Sequence, residues 1–167
     1  MKKIIYTILT VLLLTFSALA QTAVKAGAVL HVEVENGKTL DLTVADLAKL
    51  TRLEIKAKDH DEKIHTFSGV SLVEVLKLAD AKLGKDEVKG KTLAKILLVE
   101  AADGYKATFA IAELASDFTD RIILLADMSD GKPLDEKTGH WQIVVPDEKK
   151  HGRWVRQVIS LKLKTAQ

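Results

Sequence analysis

The feature that most constrains this chain is the placement of turn dipeptides between short β-forming runs. Val29 to Glu35 alternates apolar and polar residues, Asn36-Gly37 follows, and Thr39 to Thr43 resumes the alternation. Asn and Gly accept the left-handed backbone that tight turns require, so this spacing predicts an antiparallel pair. Asp103-Gly104 stands in the same relation to Lys95–Ala101, whose contiguous Ile96 to Val99 reads as a buried strand, and to Tyr105–Ile111. Asp130-Gly131 marks a third turn within Ser129–Pro133, with Lys132-Pro133 fixing its exit.

The segments between these turns complete an α+β, mostly β mixed-sheet domain with short helices. Thr43 caps a helical turn through Val44, Leu47 and Leu50; Leu53, Ile55 and Ala57 alternate as a strand; Asp59 to Lys63 is a polar turn; and Ile64 to Phe67 returns. Ser71 followed by Glu74 has the form of a capping box, and Leu72, Val75, Leu76 and Ala79 recur at helical spacing, which predicts a helix over 71–82. Leu83 to Thr92 is a charged loop and Ala112 to Phe118 a helical turn. Ile122–Asp127, Gln142–Val145 and Val155–Leu163 are the closing strands. No repeat or Gly/Pro/Ser-rich linker divides 28–164, so one domain is expected there.

Composition enters through the first twenty residues. Lys2 and Lys3 precede an uncharged run from Ile4 to Ala20, whose apolar centre ends at Phe16 and is too short to span a bilayer. Ala18-Leu19-Ala20 forms an A-x-A cleavage site. Residues 1–20 are therefore expected to be a Sec-type signal peptide, 21–27 a flexible N-terminus, and the product periplasmic or secreted without stable membrane insertion. The leader holds two of the 25 basic residues and none of the 23 acidic ones, so the remainder is formally neutral. A neutral surface excludes nucleic acid as the expected partner. The chain has no cysteine, which removes disulfides, thiolate ligands and thiol nucleophiles together. No Gly-x-Ser-x-Gly elbow, P-loop or Gly-x-Gly-x-x-Gly is present, so hydrolase and kinase chemistry lack a signature.

Four ordered stretches carry a resemblance. They are Phe67-Ser68-Gly69-Val70-Ser71-Leu72 with Val75-Leu76; Ala102-Asp103-Gly104-Tyr105 leading to Phe109; Leu124 to Asp127 with Asp130 to Leu134; and Gln142 to Pro146 followed by Gly152 to Val158. Together, over about residues 28–163, they resemble the molybdopterin-binding domain of the sulfite oxidase family. The resemblance implies a sulfite oxidase molybdopterin-binding-like fold. It also implies molybdopterin as cofactor, with a loop cysteine ligating molybdenum. Here that loop falls near Lys58-Asp59-His60-Asp61, and no cysteine exists. Where the family has Gly-x-Pro and then a cofactor-facing arginine, this chain has Gly139-His140-Trp141-Gln142. The leader also lacks the Arg-Arg pair of twin-arginine export.

Two segments concentrate chemistry. Asp59, His60, Asp61 and His65 place carboxylates and imidazoles around one turn, a donor set suited to zinc, nickel or copper, or equally a solvated turn. Lys149 to Arg156 is the densest cationic stretch, and Lys150, Arg153 and Arg156 are expected to hold a phosphate or carboxylate, or to pair with neighbouring acids. His140, Trp141 and Trp154 supply flat walls for a ligand, or core packing. The expectation is an exported binding module for an anionic small molecule, a pterin-like compound or a protein partner in the cell envelope, without molybdenum–thiolate catalysis. Two alternatives stay open: a molybdopterin-dependent oxidoreductase with non-cysteine or no protein ligation of the metal, and a periplasmic metal-binding protein using the His60/His65 loop.

Overall fold

The computed structural model describes residues 27–166, so the expected signal peptide and residues 21–26 lie outside the described residues. The strands form two five-stranded sheets. The first has the order β2 (Thr39–Thr43), β1 (Val29–Val34), β10 (Val158–Thr165), β5 (Lys95–Ala101), β6 (Lys106–Ala110). The second runs β3 (Arg52–Lys58), β4 (Ile64–Ser71), β7 (Leu124–Ser129), β8 (Lys132–Pro133), with β9 (Gln142–Val144) also on β7. Among the described residues only β1 and β10 pair in parallel, and the other strand pairs are antiparallel. Helices α1 (Val44–Leu47) and α2 (Leu72–Leu78) are short, giving the α+β, mostly β class read from the sequence.

Period-two alternation aims the first sheet at the core, whereas β4, β7 and β9 of the second sheet are buried in consecutive runs. Leu30 and Val32 of β1 are fully buried while Val29 is 47% exposed, and Leu97, Val99, Leu161 and Leu163 join them from β5 and β10. The second sheet adds Phe67, Val70, Leu124 and Ile143 to the same cluster. Gly69 permits the close approach of β4 to β7. A Cβ there would lie 2.1 Å from the Leu125 carbonyl oxygen, beside a register shift between Ser68 and Gly69.

The differences from the sequence reading have local causes. The Asn36-Gly37 turn encloses three residues, because the Val34 N–H donates to the Lys38 carbonyl at 3.1 Å. Asn36 takes the left-handed conformation (φ 61°), while Gly37 is required by proximity: a Cβ would lie 2.5 Å from the Ala79 carbonyl oxygen. The helix expected over 71–82 ends at Leu78. Asp80 is left-handed (φ 65°) and the Ala81 N–H turns back to the Leu76 carbonyl, a Schellman-like stop. Ser71 caps it through the Val73 N–H, but Glu74 pairs with Lys77 instead of completing a box; the reciprocal box is at Thr43 and Asp46.

The 112–118 helical turn is corrected to a 3-10 turn at Ile111–Glu113. The strand expected at Ile122 starts at Leu124, since the Ile123 carbonyl accepts the Leu72 N–H. The last strand starts at Val158, not Val155, because Gln157 is left-handed (φ 50°) and donates its N–H to the Thr138 carbonyl at 2.7 Å.

Candidate functional site

The β3–β4 turn meets the segment leading into β10. The turn is closed by the Asp59 N–H donating to the Lys63 carbonyl at 2.9 Å, with Glu62 left-handed, and the Asp59 carboxylate accepts the His60 N–H at 2.7 Å. Opposite it, His151–Arg153 forms a 3-10 turn that delivers Trp154 into the core, 4% exposed. The Trp154 indole N–H donates to the Val145 carbonyl at 2.9 Å, and its ring meets Phe67 edge-on at 5.4 Å. His151 bridges the two segments. Its Nε2–H donates to the Lys58 carbonyl at 2.7 Å, and its ring lies 4.5 Å from both Trp154 and His60. A carbonyl only accepts, so this bond fixes the proton on Nε2 and leaves Nδ1 as the lone-pair nitrogen of the neutral ring.

These rings wall a cleft of about 290 Å³ that also presents Tyr105, Lys137, Arg156 and Gln157. The Tyr105 hydroxyl donates to the Gly152 carbonyl at 2.6 Å, and the Asp103 carboxylate accepts the Tyr105 N–H at 2.9 Å. Both groups are thereby spent on shaping the rim. Arg156 is exposed, and its guanidinium makes no hydrogen bond or ion pair among the described residues, its charge being felt by the Asp135 carboxylate from a distance. The cleft therefore combines flat, partly polar rings with the cationic heads of Arg156 and Lys137.

The other expected site residues are distributed differently. Arg153 is corrected from anion ligand to structural clamp. Its Nε donates to Glu148 at 2.8 Å, its Nη1 to Glu113 at 2.9 Å, and its guanidinium lies 4.6 Å from the Phe109 ring centroid. Burial pushes the Glu113 carboxyl up, but the Arg153 bond and the Ala110 N–H outweigh it and hold the group below the usual carboxylate range. Lys150 is exposed and lies outside the cleft lining. His140 and Trp141 line a separate groove of about 800 Å³ with Val29, Met128 and Leu134, walled by a bidentate Arg52–Asp127 pair at 2.8 and 2.5 Å. Gln157 lines both spaces.

The quartet Asp59, His60, Asp61 and His65 does not converge. His60 turns to His151, whereas His65 holds Asp130 through Nδ1 at 2.6 Å and Asp61 through Nε2 at 3.1 Å. Among the described residues no group of three or more His, Asp or Glu side chains is gathered for a metal ion. His151 and Lys137 are cleft residues that the sequence reading left unassigned. His151 lay inside the cationic Lys149–Arg156 stretch, but nothing local marks it as a partner of His60.

The residues present do not fit a molybdenum–pterin centre of the family kind. The loop that would carry the thiolate offers only His60 and the carboxylates Asp59 and Asp61, each already accepting a backbone N–H. Gln142, where the resemblance calls for a cofactor-facing arginine, is 2% exposed within β9 and lines neither space; its Nε2 has no partner among the described residues. Arg153 is consumed by its two glutamates.

No protein-family profile matches the chain, and no curated protein sequence matches it. Among solved structures, the sulfane dehydrogenase SoxCD from Paracoccus pantotrophus superposes with a TM-score of 0.63 at 20% identity. The match covers 81% of this chain and 38% of that one, so the chain spans well under half of the enzyme chain it resembles. At this identity the likeness establishes the fold. Among the described residues no helix is long and apolar enough to cross a membrane.

Proposed function

We propose that this chain is an exported binding module of the sulfite-oxidase-like fold, holding a flat, anionic small molecule between the 59–65 turn and the 151–157 segment without molybdenum–thiolate chemistry. The observation that carries the reading is the cleft wall of His60, His151 and Trp154 beside Arg156, whose guanidinium makes no hydrogen bond or ion pair among the described residues. A planar ring would lie against the imidazoles, and its acidic group would take charge-assisted bonds from Arg156 and Lys137. Tyr105 and Trp154 shape the site without donating to the ligand, since their O–H and N–H already serve Gly152 and Val145. The cleft's cations act locally, because the chain beyond its leader carries no net charge to attract polyanions.

The test is calorimetric titration of the purified chain with pterin-6-carboxylate in EDTA-containing buffer. Arg156→Glu is expected to weaken binding about tenfold or more, as loss of a charge-assisted contact does. Affinity unchanged in both Arg156→Glu and Lys137→Glu would exclude this cleft as the anion site.

A further inference from the structure

We infer that His60 and His151 form a two-imidazole site for a late first-row divalent metal, with copper(II) bound tightest. Three observations combine. His151 has the orientation that metal-ligating histidines share, one ring N–H anchored on a backbone carbonyl (Lys58, 2.7 Å) and the other nitrogen left with its lone pair. The His60 ring sits 4.5 Å from it, and neither of its nitrogens has a hydrogen-bond partner among the described residues. Two metal–nitrogen bonds of about 2.0–2.1 Å place their donor atoms about 3–4 Å apart, in keeping with the 4.5 Å between the ring centroids. The third observation is space: both histidines line the cleft of about 290 Å³, so solvent or an exogenous anion can fill the remaining coordination positions.

The chemistry selects the metal class. Neutral imidazole without thiolate suits copper, nickel and zinc, and affinity for such a site peaks at copper(II). Two protein ligands with open positions make an accessible site and not a closed structural one. The pairing joins turns far apart in the chain, which distinguishes it from the His60/His65 set suggested by proximity along the sequence. Arg156 and Lys137 face the same cleft, so an anion held there would share the site with the metal.

The experiment titrates the EDTA-stripped, dialysed full chain with copper(II) chloride, without added pterin. Bound metal is read by calorimetry and by electron paramagnetic resonance. One copper per chain is expected, with superhyperfine structure from two imidazole nitrogens. His60→Ala and His151→Ala are each expected to weaken binding about tenfold or more, while His65→Ala and His140→Ala stay within about threefold. His60 is an exposed turn residue, so its variant decides the matter even if loss of the His151 ring perturbs Trp154. Absence of binding at about 100 μM copper, a Kd weaker than any useful site, would overturn the inference. So would binding undiminished in a folded His60→Ala chain. The anion titration is run in EDTA and reads Arg156 and Lys137, so failure of either reading is seen separately.

Discussion

Arg153 reaches Glu113 on the neighbouring 3-10 turn at 2.9 Å while its other nitrogens hold Glu148. This chain of pairs, continued from Glu113 to Arg121 at 2.9 Å, makes Arg153 part of the framework that seats the His151 turn. Arg153→Ala strips two half-buried carboxylates of their partner and removes the stacking on Phe109. It is expected to lower stability by about 2–3 kcal/mol in urea unfolding, whereas exposed Arg156→Ala stays within about 0.5 kcal/mol. Equal losses would show that the clamp contributes nothing beyond an exposed arginine.

Gly69→Ala tests the close approach of β4 to β7. A Cβ 2.1 Å from the Leu125 carbonyl meets backbone, which cannot swing aside as a side chain can. The expected cost is about 3 kcal/mol or more, with unfolding well below the wild-type denaturant midpoint. Wild-type stability in this variant would mean that the two strands are separable at Gly69.

His65 makes stability depend on pH. Its bonds to Asp130 and then Asp61 raise the imidazole pKa above its ordinary value, so the folded state binds the proton more tightly than the unfolded chain. That contribution is full below the ordinary imidazole value and is lost as pH rises through the raised one. Asp130, held low by the Thr66 N–H and then His65, and Asp61, held low chiefly by the Lys63 N–H, act in the opposite sense. Their contribution is full above the ordinary aspartate value and is lost as pH falls through the lowered ones. Thermal midpoints across pH should fall on the alkaline side of the imidazole range, and His65→Gln should remove that fall; a profile identical in both proteins would assign it elsewhere.

Metal and pterin content discriminates cleft chemistry from the family cofactor. Produced with its own N-terminal segment in a bacterium that makes molybdopterin, the purified chain is expected to hold no stoichiometric molybdenum, because no thiolate exists to ligate the metal. Mass spectrometry for metals and fluorescence of extracted pterin make the measurement. About one of each per chain would establish cofactor binding through other groups.

The hairpins at Asn36-Gly37 and Asp103-Gly104, the Thr43 cap and the strand at β5 were legible because each is decided within a few residues, though of the Ile96–Val99 run only Leu97 and Val99 are buried. The ends of α2 and β10 were not. Helical spacing continues past Leu78, but Asp80 turns left-handed against the β1–β2 loop; β-forming residues precede Val158, but Gln157 is pulled to Thr138. Residue type indicated charge in the site without indicating its destination. Arg153 and Arg156 look alike in sequence, yet one meets two glutamates and the other faces a cleft.

The sequence by itself determined the strand-rich class, the local concentration of charge in a chain of nearly balanced charge, and the absence of thiolate chemistry, since these follow from short-range pattern and from which residue types exist at all. Tertiary structure alone decided which polar groups are spent and which remain open. His60 finds His151 rather than His65, and His140 and Trp141 face a different groove. Those outcomes are settled by the close packing of segments far apart in the chain, where a shift of one turn exchanges a side chain's partners.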